Sequence, residues 1–315
     1  MKRGIALAIA ALFLAAAPIA DAQQARPPAQ QTQWHGDYFP NIVLTDQDGR
    51  RVRFYDDMIR GKVVAINFIY TTCTDLCPLD TAQLRRVQHM LGERLGRDIF
   101  MYSISINSDT PEALRRFMRT YDVGPNWRFL TGSQADVTRL QNLLGLRVAD
   151  PNDLRSHNPS IVIGNERTAQ WIRRSSYEAP QNLVELLTVA MQNHAPNVSR
   201  ASQSYSAAGE VTDNSRGAYL FRTRCQSCHS IGEGDRLGPD LAGVAASRPG
   251  PWLSRWIREP NLMIAERDPL ALAMLARYRN LPMPNLSLGE VEADALIEYM
   301  RNQDARRAAG TRPGH

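Results

Sequence analysis

Cysteine is scarce in this chain of 315 residues: Cys73, Cys77, Cys225 and Cys228 are all there are. Four cysteines cannot staple a chain of this length as a disulfide scaffold. They fall instead into two tight pairs, and tight pairs read as metal or redox chemistry. No Lys/Arg block and no interleaving of basic with aromatic residues occurs, which argues against nucleic acid as a partner. No internal repeat is visible. Long uncharged runs are missing too, apart from one at the N-terminus. Hydrophobic residues make up 43% and charged residues 22%, so a soluble protein of one to three domains with a core of normal size is expected.

That N-terminal run has the three parts of a secretory signal. Lys2 and Arg3 supply positive charge, Gly4 to Ala17 is almost wholly apolar, and Ala20-Asp21-Ala22 places small residues for cleavage before Gln23. The rival reading is an uncut membrane anchor, since Gly4 to Ala20 is 17 residues, the lower limit for spanning. No Cys follows the apolar stretch, so a lipid anchor there is excluded. A periplasmic location is expected, with membrane contact only if the segment is kept. Loss of Lys2, Arg3 and Asp21 takes the net charge from +5 to +4. This mild positive charge suits docking on an acidic protein face, or simply a soluble surface.

Residues 23–33, rich in Gln and Pro, form a lead-in expected to be disordered. From 34 to 194 strands and helices alternate. Residues 41–54 read as a hairpin around Asp48-Gly49. Lys62 to Tyr70 is a near-continuous apolar strand of the kind buried on both faces. A helix follows from Leu79 to about Leu95, with Leu84, Val87, Leu91 and Leu95 on one face. A strand is expected at Ile99 to Ile106, a helix opening at Pro111, a helix over 133–145, a strand at Ser160 to Ile163 turning into Ala169 to Arg173, and a helix over 181–193. Such alternation indicates an α/β layer with a parallel component. Residues 195–212, rich in Ser, Ala and Asn, read as a linker. Residues 213–303 show only helical stretches, near 215–224, 251–258, 269–279 and 289–302, the last with Val291, Ala295, Leu296 and Tyr299 on one face. The tail, 304–315, is expected to fray.

Cys225-Gln-Ser-Cys228-His229 is a C-x-x-C-H sequence, the attachment motif for c-type haem. The order is chemical: two thiols add to two vinyl groups, and the next residue is placed beneath the iron as axial ligand. A zinc half-site would need further Cys or His nearby, and this segment has only the terminal His315. A redox dithiol usually follows a buried strand, whereas this one follows a helix. One covalent haem is therefore expected. For the sixth ligand Met283 is favoured over Met263, because Pro282 and Pro284 force an extended loop that can lay a thioether over a flat ring. Met274 and Met300 fall at apolar helical positions and read as core. Together with Leu237-Gly-Pro-Asp-Leu-Ala-Gly-Val244 and the terminal Ala295-Leu-Ile-Glu-Tyr299, this segment resembles the small class I cytochromes c. The resemblance implies that the Pro239 carbonyl accepts a hydrogen bond from His229.

Cys73-Thr-Asp-Leu-Cys77-Pro78 lies between a buried strand and a helix, where the helix N-terminus favours thiolate. Two such thiols suit Cu(I), and an added imidazole admits Cu(II); two cysteines alone equally suit a reversible disulfide. Of the histidines, His157 stands in a loop just before a strand that could lie beside the thiols. Residues 34–194 resemble the Sco/SenC family of thioredoxin-like copper proteins through Leu44-Thr-Asp-Gln-Asp-Gly49, Gly61-Lys-Val-Val64, Phe68-Ile-Tyr-Thr-Thr-Cys73, Leu76-Cys-Pro-Leu79, Tyr102-Ser-Ile-Ser-Ile106, Asp109-Thr-Pro111 and His157. Thr74, where Pro is frequent, and the shortened Asn107-Ser108 depart from the pattern. The resemblance implies one copper on Cys73, Cys77 and His157, and a role in assembling the copper centre of cytochrome oxidase or reducing its thiols. An α/β thioredoxin-like domain followed by a small all-α cytochrome c domain is the resulting expectation. Its partners would be the copper domain of a cytochrome oxidase or a similar cuproprotein, and an electron donor or acceptor protein. The alternative is a haem-coupled thiol-disulfide oxidoreductase or electron carrier with no copper delivery.

Overall fold

Seven strands form a single sheet in the order β2-β1-β5-β4-β3-β6-β7. The computed structural model describes residues 38–72, 76–146, 160–192, 213 and 215–310. The segments read as signal, lead-in and linker, together with Cys73 and His157, lie outside these residues.

The strands are β1 (Val43–Asp46), β2 (Arg51–Arg53), β3 (Val63–Ile69), β4 (Ile99–Ser105), β5 (Trp127–Thr131), β6 (Ser160–Asn165) and β7 (Gln170–Ser175). The three in the middle, β3, β4 and β5, run parallel, while β1, β6 and β7 pair antiparallel outside them. Every residue of β3 is buried, as its unbroken apolar run requires. The helices of this half are α1 (Leu76–Leu91), α2 (Pro111–Thr120), α3 (Gln134–Leu143) and α4 (Pro180–Glu185). α2 starts on a Thr110 cap, whose hydroxyl accepts from the Ala113 amide, and α3 on a Ser133 cap.

Four expectations need correction. α1 begins three residues before Leu79 and stops at Leu91, because Gly92 takes a left-handed conformation with φ of 51°. Leu95 is still buried, beyond the helix. β5 was not anticipated at all: five residues after Gly124-Pro125-Asn126 are a weak local signal, yet the strand fills the gap between β1 and β4. A buried relay fixes it there, in which Trp127 Nε1 donates to Ser103 Oγ at 2.9 Å and Ser103 Oγ donates to Asn67 Oδ1 at 2.6 Å. The last helix of this half shortens to Pro180–Glu185, followed by one wide turn over Leu186–Ala190.

The fourth correction concerns the C-terminal helical region, whose elements are α5 (Arg216–Leu220), α6 (Val244–Ser247), α7 (Gly250–Arg258), α8 (Pro260–Ala265), α9 (Pro269–Arg277) and α10 (Glu290–Ala308). α10 does not fray after Asp304. Asp304 accepts the Gly243 amide at 2.9 Å and Arg307 Nη1 donates to the Ile231 carbonyl at 3.0 Å, so its last turns are tied to the loops they cross. Its buried face is Ala293, Leu296, Ile297 and Met300, whereas Val291 is exposed. α5 crosses α10 with no room between them: a Cβ on Gly217 would lie 2.1 Å from the Ala295 carbonyl oxygen. Phe221 and Tyr299 pack beside that crossing, ring centroids 5.5 Å apart. Among the described residues no helix is long and apolar enough to cross a membrane.

Candidate functional site

α5 leads through a wide turn into Cys225. The backbone then doubles back, with the amides of Cys228 and His229 both donating to the Cys225 carbonyl at 3.0 and 2.9 Å. One turn of chain therefore carries both thiols and the imidazole to one cleft of about 280 Å³. His229 Nδ1 donates to the Pro239 carbonyl at 2.9 Å. A carbonyl can only accept, so the proton sits on Nδ1 and the lone pair on Nε2. Burial lowers the His229 pKa more than the Pro239 hydrogen bond raises it, which keeps the ring neutral and able to ligate.

The loop beyond the motif is shaped around that ring. A Cβ on Gly238 would stand 2.6 Å from His229 Cε1, so the backbone is pressed against the imidazole. Asp240 gathers the amides of Gly232, Gly234 and Ala242 at 2.7, 2.6 and 2.8 Å. Burial pushes its pKa up, but these amides outweigh burial and hold it down at about 2.

Met283 lies in the loop after α9 and lines the same cleft. Asp235 accepts from the Tyr278 hydroxyl at 2.7 Å and from Arg277 at 3.1 Å, tying the histidine-side loop to the segment that leads into Met283. Met263 is buried outside the cleft, while Met274 and Met300 contribute to its walls. Those walls are otherwise mostly apolar, with Trp252, Leu253, Ile257 and Leu296 among them. Burial pushes Cys225 to about 12 and Cys228 to about 11. In the bare polypeptide they are neutral thiols, not the thiolates a redox dithiol relies on. A flat apolar group with one metal fits this set: two thiols, a pre-oriented imidazole lone pair and a thioether lining the same cleft.

The other motif begins where β3 ends. Thr71 is clasped by Asp109, its amide donating at 2.9 Å and its hydroxyl at 2.7 Å, and Ser105 Oγ donates to the same carboxylate at 2.7 Å. Asp109 thus pins the approach to the thiols against the end of β4, a role its place before Pro111 had suggested only as a helix start. Cys77 is buried in the first turn of α1. One turn on, buried Asp80 accepts from Ser176 Oγ at 2.6 Å. Of the expected copper ligands Cys73, Cys77 and His157, only Cys77 is among the described residues. Its neighbour Pro78, with Tyr121 at the end of α2, lines the cleft that holds His229 and Met283.

Residues 30–182 match the SCO1/SenC family and residues 215–304 the cytochrome c family. An SCO1 protein homolog from Bacillus subtilis is 32% identical over 99 residues, which is 30% of this chain and 50% of that protein. An SCO2-like protein from Rickettsia conorii is 30% identical over 157 residues, 47% of this chain and 74% of that protein. A solved cytochrome c domain from Pseudomonas putida is 42% identical with a TM-score of 0.28, and the match covers 31% of this chain and 98% of that one. The chain spans about half the length of the first of these relatives and nearly three quarters of the second. The chain belongs to the SCO1/SenC family and carries a cytochrome c domain after it.

Proposed function

We propose that this protein is a periplasmic copper chaperone and thiol redox protein that assists assembly of the copper centre of cytochrome c oxidase, with one covalent haem c for electron transfer. The observation that carries the haem half of this reading is the cleft itself, which Cys225, Cys228, His229 and Met283 all line. Cys225 and Cys228 would hold the haem through thioethers, His229 Nε2 and Met283 Sδ would ligate its iron, and Pro239 would fix the imidazole. Bound haem would supply a reversible one-electron carrier. On the other half, Cys73, Cys77 and His157 form a donor set of two soft thiolates and one imidazole, which accommodates both Cu(I) and Cu(II). Asp109 holds Thr71, two residues before Cys73, and Cys77 is buried.

Metal analysis with a visible spectrum of the purified chain tests both halves. Equimolar iron as low-spin haem c and one copper per chain are expected. Cys73→Ser with Cys77→Ser should abolish copper binding and leave the haem spectrum intact; retained copper overturns the copper site. Transfer of Cu(I) to an apo oxidase copper domain tests delivery, and disulfide reduction without transfer would select the thiol-oxidoreductase reading.

A further inference from the structure

The cleft of the helical region is completed by the sheet region. Pro78 and Tyr121 form part of its lining, and Leu237, the residue before Gly238, is buried within the hydrophobic cluster of the sheet region. Cys228 and Leu281 pack against the same cluster. This apolar joint has an ionic edge. Asp122, next to Tyr121, is paired with Arg85 of α1, and its same carboxylate oxygen lies 3.6 Å from Arg279, four residues before Met283. Both regions lie within the unit Gln33–His315.

We propose that Pro78 and Tyr121 form a built-in docking surface for the cytochrome module, with Asp122 as its latch to Arg279, and that this joint is the route for single electrons between the haem and the metal held at Cys77. The inference rests on the function proposed above. Its physical ground is adjacency: Pro78 is covalently joined to Cys77 and borders the cleft that Cys228 borders. Pro78 therefore links Cys77 to the cleft lined by Cys228. With both groups bound, one electron would pass from ferrous haem iron to Cu(II), giving ferric iron and Cu(I), with no bond or proton exchanged. The apolar contact supplies the adhesion, and the Asp122 pairs set the register.

Small-angle X-ray scattering of the full chain at low salt reads the docking with no need of either cofactor. A profile matching the docked arrangement is expected; modules scattering as free bodies on a tether would overturn the proposal. Arg279→Glu sets two carboxylates face to face and should enlarge the radius of gyration. Stopped-flow absorbance of the reduced haem after Cu(II) loading should then show electron exchange slowed by about tenfold or more, since undocked modules meet only at the concentration their linker allows. Its haem spectrum and copper content should match the parent chain. An unchanged rate in the opened variant, or a variant that neither opens nor slows, overturns the route. A chain that lacks haem or copper defeats the function proposed above, and the scattering still decides the docking.

Discussion

At the scale of single residues, the cleft depends on what is missing as much as on what is present. Gly238 has no side chain where a Cβ would meet the His229 ring at 2.6 Å. Gly238→Ala must push the imidazole or part the loop, and overpacking of this kind costs about 1–3 kcal/mol. The expected result is a lower haem-to-polypeptide absorbance ratio and a lower melting temperature. Asp240 makes a different case. Its folded pKa is held at about 2, below the usual carboxylate value, so its stabilisation is fully present above about pH 4 and lost as the pH falls through 2. Asp240→Asn should therefore cost stability at neutral pH, about 1 kcal/mol after solvent screening, and the gap to the parent should close towards pH 2. Chemical denaturation across that pH range measures it. The glycine was legible in the sequence as part of Leu237-Gly-Pro-Asp, but the contact that demands it was not. That contact arises only when residues nine apart close around one ring.

At the scale of elements, crossing distance decides more than helix propensity. Gly217 in α5 sits where a Cβ would lie 2.1 Å from the Ala295 carbonyl oxygen and 2.7 Å from Tyr299 Cβ. Replacing Gly by Ala in a helix gains about 1 kcal/mol of propensity. Here the obstacle is backbone, which cannot swing aside, so the overpacking cost of about 1–3 kcal/mol prevails. Gly217→Ala should lower the melting temperature of the chain, whereas the same change at Gly250, with open space around it, should not. The strands teach a related lesson. β3 and β4 were legible because long apolar runs have few alternatives. β5 was not, since its place depends on partners distant in sequence, Ser103 on one side and Thr45 on the other. The extra turns of α10 escaped for the same reason: Gly243 and Ile231 hold them, and both are remote from Arg307 along the chain.

For the molecule as a whole, the joint between the two regions combines buried apolar contact with exposed charge. The Asp122–Arg279 pair has both side chains nearly half exposed, so it is weak and screened by salt. Raising the salt from low ionic strength to about 1 M, where the Debye length shrinks to about 3 Å, should loosen the register without separating the apolar contact. A modest rise in the radius of gyration and a slower electron exchange are the expected readings. An Arg279→Glu chain should show the opposite salt response, because screening relieves its repulsion.

The sequence by itself set out the chemistry to expect of this protein. C-x-x-C-H, the thiol pair after an apolar strand, and a methionine between prolines are local patterns whose meaning follows from bond lengths and ligand softness, and chain folding elsewhere does not alter them. It also determined the family and the order of the two domains. Only the tertiary structure decided how the parts meet: that Met283 and not Met263 lines the cleft with His229, that Asp109 clasps Thr71, and that Pro78, next to Cys77, borders that same cleft. Each of these joins residues far apart in the chain. Such contacts are set by the packing of whole elements against one another, and no local pattern of residues records it.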